Sequence, residues 1–189
     1  MERRFLIAGT GPRVGKTTVG CALGFAMRAR GLRVGVMKPI DTPESRDAQA
    51  LALAVGSIIP MDLICPYRTS SIATPDLSHI ARCFNKISAQ SDAVLVEAAS
   101  TIDFADLAAP LNLDVILIAG NRPGCIDATT LALERCKNGE LKLAGCILCD
   151  CDPATETDET SMQALLGDRY LGRMRHREPL AKSIVEKLF

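Results

Sequence analysis

The sequence predicts an α/β protein, a single-domain P-loop fold with a mainly parallel β-sheet and helices on both faces. Three observations carry this. The first is Gly9-Thr10-Gly11-Pro12-Arg13-Val14-Gly15-Lys16-Thr17-Thr18, a Gly-rich turn between an apolar run and a segment of helical spacing. The second is the series of short, continuous apolar runs, Ala93–Val96 and Val115–Ala119 among them, which is how strands buried on both faces read. The third is the alternation of those runs with helical patterns, which requires parallel strands joined by crossover helices.

In chain order, Phe5-Leu6-Ile7-Ala8 reads as the first strand and Val19 to Ala29 as the body of the first helix. Leu32 to Met37 reads as the second strand, ending at Lys38-Pro39. Thr42-Pro43-Glu44 reads as an N-cap, a proline at the first helical position and an acid in the first turn. Ala48, Leu51, Ala52 and Val55 form one stripe of that helix. Residues 57–74, rich in Pro, Ser and Thr, read as irregular. Ser78 to Ala89 reads as a helix, Ala93 to Val96 as a strand ending in Glu97, and Phe104 to Leu111 as a short helix. Val115 to Ala119, Ile126 to Cys136 and Leu143 to Leu148 follow as strand, helix and strand. Residues 150–157 read as an acidic loop. Ser161 to Leu166, a short strand near Tyr170-Leu171 and a last helix from Pro179 close the chain.

Composition narrows the function classes. The 189 residues fit one domain, 1–189, large enough to bury a core. The 48% hydrophobic and 23% charged content suits a soluble globular protein. A net charge of zero offers no electrostatic footprint for nucleic acid. No apolar run approaches a membrane span, so a cytoplasmic protein is expected. The eight cysteines mostly sit inside apolar runs and read as buried free thiols. Cys146-Ile-Leu-Cys149-Asp-Cys151 has C-x-x-C spacing, but a strand there would point Cys146 and Cys149 to opposite sides.

Ligands of such sheets sit beyond the carboxyl ends of the strands. The Gly9–Thr18 loop stands there. Glycines let a backbone approach an anion, and the loop amides converge at the positive end of the helix that starts near Lys16. Gly11, Pro12, Arg13, Val14, Gly15, Lys16, Thr17 and Thr18 are therefore the expected nucleotide-phosphate contacts. Lys16 would meet the β- and γ-phosphates, and the Thr17 hydroxyl a Mg²⁺ ion. The first glycine precedes its usual place by one residue, giving G-x5-G-K-T. Glu97, at a strand end, and Asp47, in the first turn after the second strand, are further Mg²⁺ candidates. Lys38 ends the second strand close by.

The chain resembles the dethiobiotin synthetase family. The resemblance rests on the phosphate loop, Met37-Lys38-Pro39-Ile40, Asp47-Ala-Gln-Ala-Leu-Ala-Leu, Cys65-Pro66-Tyr67, Ser78-His79-Ile80-Ala81, Val94-Leu95-Val96-Glu97, Asp106-Leu107-Ala108, Gly124-Cys125-Ile126-Asp127 and Leu143-Ala144-Gly145. These stand in the family's order and span nearly the whole chain. The resemblance implies a homodimeric ATP-dependent ligase that takes 7,8-diaminononanoate, CO2 and MgATP and closes a ureido ring. It implies Lys16 and Lys38 as the catalytic cations, and Thr17, Asp47 and Glu97 as Mg²⁺ ligands. Thr42 and Gly124, Cys125, Ile126 and Asp127 would be substrate contacts, the last four supplied by the partner subunit. Cys149 and Arg175 would lie by the base.

Departures from the family pattern cluster on the substrate and base sides. Ala98-Ala99-Ser100-Thr101 stands for the family's Gly-Ala-Gly-Gly, and Pro12-Arg13 for Thr-Glu. Thr42 replaces a serine, Asp127 and Cys149 each replace an asparagine, and Arg175 replaces a proline. Two other readings are open: a ligase of the cobyrinic acid a,c-diamide synthase type, and a non-metabolic P-loop ATPase or nucleotide switch. Partition ATPases usually carry a lysine where this chain has Gly11.

Overall fold

The computed structural model describes residues 3–69, 75–99, 103–150 and 159–188. The chain runs β1 (Arg3–Gly9), α1 (Lys16–Ala29), β2 (Val34–Met37), β3 (Ile40–Asp41), α2 (Asp47–Ala54), α3 (Met61–Ile64), β4 (Tyr67–Arg68) and α4 (Leu77–Ser88). It continues through β5 (Ala93–Glu97), α5 (Phe104–Ala108), β6 (Asp114–Gly120), α6 (Cys125–Asn138), β7 (Leu143–Cys149), α7 (Glu159–Leu166), β8 (Tyr170–Met174) and α8 (Lys182–Leu188).

Six strands form one sheet in the order β2-β5-β1-β6-β7-β8, and every pairing in it is parallel. Period-2 alternation divides each strand between two cores. Leu6, Ala8, Val94, Val96, Val115 and Leu117 face one side, with Ile80, Phe84 and Leu107 of the covering helices. Phe5, Ile7, Leu95, Ile116 and Ile118 face the other, with Leu23 and Met27 of α1 and Leu51 of α2. Each such buried Leu, Ile or Phe contributes about 1.5–3 kcal/mol over an exposed one. Cys146 belongs to the first core and Cys149 to the second, so the two thiols face opposite sides of β7. Cys151 lies outside the described residues.

Several local expectations are corrected. The second helix starts at Asp47, not Pro43. Thr42 instead closes a turn, its Oγ1 accepting from Ser45 N at 3.2 Å. The buried Asp41 carboxylate does the capping, accepting from Thr42 N at 3.0 Å and from Ala48 N at 3.2 Å. Residues 57–69 are not all irregular: they hold α3, and β4 pairs with β3 as Ile40↔Tyr67 and Asp41↔Arg68. The helix from Phe104 stops at Ala108, and the last helix begins at Lys182 instead of Pro179. The loop expected at 150–157 lies, beyond Asp150, outside the described residues, as do Ser100 and Thr101.

The topology sets the site. From β1 the chain crosses outward to β2 and returns as β5, then continues on β1's other side as β6. The loop after β1 therefore opens between the ends of β5 and β6, the position where such sheets bind ligands. Register brings Ile7 level with Glu97 and Gly9 level with Ile118.

Candidate functional site

The turn that ends β1 is held by Thr10 N, which donates to Ile118 O at 3.0 Å. Arg13 takes a positive φ of 53° and Gly15 one of 92°. Gly15 is the residue before α1, and no side chain caps that helix start. Its first-turn amides are thus left for an exogenous acceptor. Glycine is needed here twice over: the left-handed backbone disfavours a side chain, and a Cβ would stand 2.5 Å from the Cys149 sulfur. Val14 is buried beneath the loop, so its contribution to a ligand is through the backbone alone.

A cavity of about 850 Å³ opens over this loop. Pro12, Arg13, Gly15, Lys16, Thr17 and Thr18 line one wall; Lys38, Asp47 and Glu97 line its deep end. Cys149 and Arg175 line the opposite wall. Thus six separate stretches of sequence converge on one space, with the phosphate loop between its two ends.

The deep end is an ion-pair cluster. Glu97 is 1% exposed and Lys38 6%. The Lys38 ammonium donates to Glu97 Oε1 and stands 3.3 Å from Asp47 Oδ2. Thr17 Oγ1 donates to the same Glu97 oxygen at 3.0 Å. Glu97 Oε2 is buried and has no hydrogen-bond partner among the described residues. Burial works against the charge on Lys38, but the Glu97 carboxylate, with Asp47 and Asp41 behind it, outweighs that and raises the ammonium's pKa. Burial pushes Glu97 up, and Lys38 and Thr17 only partly offset that. Lys16 is pushed down, first by burial, with Glu97 opposing.

The other end is a wall that sequence reasoning found only in part. Asp150 lines the cavity beside Cys149. It is fixed by Arg173 Nε at 2.9 Å and by Asn121 Nδ2 at 2.6 Å. Met174, His176, Arg177, Glu178 and Pro179 complete this wall with Arg175, which stands 3.9 Å from Glu178. No local motif marks them; the only signal was their place after a strand. Arg122 was also missed. Its Nη2 lies 2.8 Å from where a Cβ on Gly11 would stand, so the guanidinium rests against the phosphate loop from the β6 side.

Thr42, Gly11 and the α6 start are not brought into this cavity within one chain. Gly124, with φ 79°, precedes α6 as Gly15 precedes α1, and no side chain caps α6 either. Cys125 is buried, Ile126 partly so, and Asp127 is exposed in the first turn.

A strand, a glycine-capped loop with Lys16 and Thr17, and a buried acid at the next strand end define a P-loop nucleotide-binding protein. The comparisons agree. A family described as "AAA domain" matches residues 3–183. The ATP-dependent dethiobiotin synthetase BioD of Anaeromyxobacter dehalogenans (strain 2CP-C) is 33% identical over 202 residues, covering 95% of this chain and 88% of that protein. Its namesake from Xylella fastidiosa (strain 9a5c) is 31% identical over 206 residues, covering 93% and 91%. Among solved structures, the septum site-determining protein MinD of Pyrococcus horikoshii OT3, complexed with Mg-ADP, superposes with a TM-score of 0.61 at 17% identity over 99% of this chain and 86% of that one. A chain of the MinC:MinD cell division protein complex of Aquifex aeolicus gives 0.67 at 13% identity over 98% and 86%. At such identities these last two show the shared fold alone.

The chain belongs to the dethiobiotin synthetase family, a family of ATP-dependent ligases, and is an ATP-binding enzyme of that class. No helix among the described residues is long and apolar enough to cross a membrane.

We propose that Cys149 stands beside the base, and base discrimination is then expected to be slight. The Cys149 thiol lacks the paired donor and acceptor of an amide, which can read a base edge. In competition titrations, nucleoside triphosphates should differ by less than about tenfold, and a preference for ATP of about a hundredfold would show that another group reads adenine.

Proposed function

We propose that this enzyme closes a ureido ring on 7,8-diaminononanoate using CO2 and ATP. The observation that supports this most is the convergence of Lys16, Lys38, Asp47, Glu97 and Thr17 on one cavity, in a chain of this family. The cluster holds cations and metal-type ligands. Such a site suits chemistry in which the substrate supplies the nucleophile and the protein supplies position and charge.

In this reading one substrate amine takes up CO2 as a carbamate, whose oxygen attacks the γ-phosphorus and releases ADP. The second amine then attacks the carbamoyl carbon of the mixed anhydride, and the ring closes as inorganic phosphate leaves. The loop amides and Lys16 hold the phosphates. Lys38, buried and charged, neutralises the carbamate and the phosphoryl group during transfer. Lys16, Lys38, Thr17, Asp47 and Glu97 carry these assignments as proposals.

Mg²⁺ fits the residues present. Glu97 presents a buried carboxylate oxygen that no group satisfies among the described residues. A hydroxyl and a second carboxylate stand beside it. Thr17, Glu97 and Asp47 would hold the ion, which supplies charge compensation on the phosphate oxygens. This chain's own groups set where those oxygens lie.

The substrate carboxylate would meet the α6 start of the partner subunit, in a homodimer. Gly124 and Ile126 offer amides at the positive end of a helix, while Cys125 N donates to Arg122 O at 3.1 Å and shapes the turn. Asp127 opposes this. Like charges about 4 Å apart cost on the order of 4 kcal/mol at an effective dielectric of 20. Screening at this exposed position brings the cost to about 1 kcal/mol or less. Asp127→Asn is therefore expected to tighten diaminononanoate binding several-fold, and more at low salt. Titration of both proteins at several salt concentrations tests the reading; equal, salt-independent affinities would remove the α6 start from the substrate site.

A further inference from the structure

Both carboxylates expected to hold Mg²⁺ already hold a cation, and it belongs to the protein. The Lys38 ammonium donates to Glu97 Oε1, which also accepts from Thr17 Oγ1 at 3.0 Å, and Asp47 Oδ2 is 3.3 Å away. Lys38 reaches this point from the end of β2, Asp47 from the start of α2, Glu97 from the end of β5 and Thr17 from the first turn of α1. Side chains from four elements, up to 80 residues apart in sequence, thus form one cluster around the Lys38–Glu97 pair. Two carboxylates this close, one of them buried, need a cation between them. Glu97 Oε2 is left over, buried and without a partner among the described residues.

We propose that Lys38 is a built-in stand-in for the divalent cation: it keeps the metal ligands assembled in the empty enzyme and must leave Glu97 before a metal ion can be bound there. The inference rests on the metal assignments proposed above and adds an order of events. An ammonium and a divalent ion compete for the same carboxylates, so the metal ion alone binds poorly. Nucleotide phosphates at the loop amides and Lys16 offer the Lys38 ammonium another anion within the same cavity. Their arrival vacates the ligands, so metal loads together with nucleotide and not ahead of it. The same displacement delivers the Lys38 charge to the phosphate end, where transfer needs it. One lysine thus serves the structure when the site is empty and the phosphates when it is full.

The test is a Mn²⁺ titration of the nucleotide-free protein, read by electron paramagnetic resonance. It uses neither nucleotide nor diamine, so its outcome is independent of whether the substrate reading holds. The parent should bind Mn²⁺ more weakly than about 1 mM. Lys38→Met removes the competing charge; Lys38→Gln removes it too but keeps a donor for Glu97 and so protects the fold. Each should tighten Mn²⁺ binding by about tenfold or more, and adding Glu97→Gln to either should abolish the gain. Unchanged affinity in the folded Lys38 variants would overturn the proposal, as would a gain that survives Glu97→Gln. Should neither variant fold, the parent decides alone: saturation by Mn²⁺ well below millimolar concentration would show that Lys38 does not hold the ligands against metal.

Discussion

Replacing Lys38 with methionine is expected to lower the stability of the nucleotide-free protein by about 3–5 kcal/mol, because it leaves Glu97 as an uncompensated buried charge. The size has an independent bound. The cheapest escape is for Glu97 to take up a proton. From its ordinary value of 4.5, holding that proton at pH 7 costs about 3 kcal/mol at 1.36 per pH unit. For a chain of this length the melting temperature should fall by about 10 °C. The sign of the pH dependence follows. In the variant, Glu97 has a folded pKa above its unfolded one, so its stability is fully present below about pH 4.5 and is lost as pH rises above it. Lys38→Met/Glu97→Gln should recover most of the loss. Thermal melts of the two variants across pH check this, and equal melting temperatures for the single and double variants would contradict the pairing.

Lys16→Ala should leave the fold intact and abolish tight nucleotide binding. The side chain is half-buried, and burial already lowers its pKa, so the folded protein gains little from its charge. A stability change within about 0.5 kcal/mol is expected. The nucleotide, in contrast, loses a charge-assisted contact to its phosphates and keeps only the uncapped amides of the α1 start. A loss of affinity for MgATP of about a hundredfold or more should follow, read by calorimetric titration. Unchanged affinity in a folded variant would remove the phosphate loop from the account.

What the sequence made legible follows from the range of the forces. The phosphate loop was readable because all its determinants are local: an apolar strand, a glycine at 92°, then Lys16-Thr17 opening a helix. The buried strands were readable because a sheet covered on both faces demands continuous apolar runs, as in Val115–Ala119. The α2 start was misread because Thr42-Pro43 carries a local cap signal that Asp41 overrides by bonding Ala48 N across seven residues. Helix α3, four residues long, is too short for a helical period to register. The pairing of Lys38 with Glu97 spans 59 residues and depends on β2 lying beside β5, which no local pattern states. The wall facing the phosphate loop is legible least. It is assembled from the ends of β7 and β8 and the residues that follow them, whose adjacency is again a property of the sheet.

The central claim is that this site couples ATP cleavage to carboxylation of a diamine. It is tested most directly by supplying ¹⁴C-labelled bicarbonate, MgATP and 7,8-diaminononanoate to the purified enzyme, and following phosphate and the labelled product together. The account predicts phosphate release that depends on the diamine, with one labelled cyclic urea formed per phosphate, and neither produced by Lys16→Ala. Phosphate released at the same rate with or without the diamine, and no acid-stable label in product, would contradict it and favour a nucleotide switch.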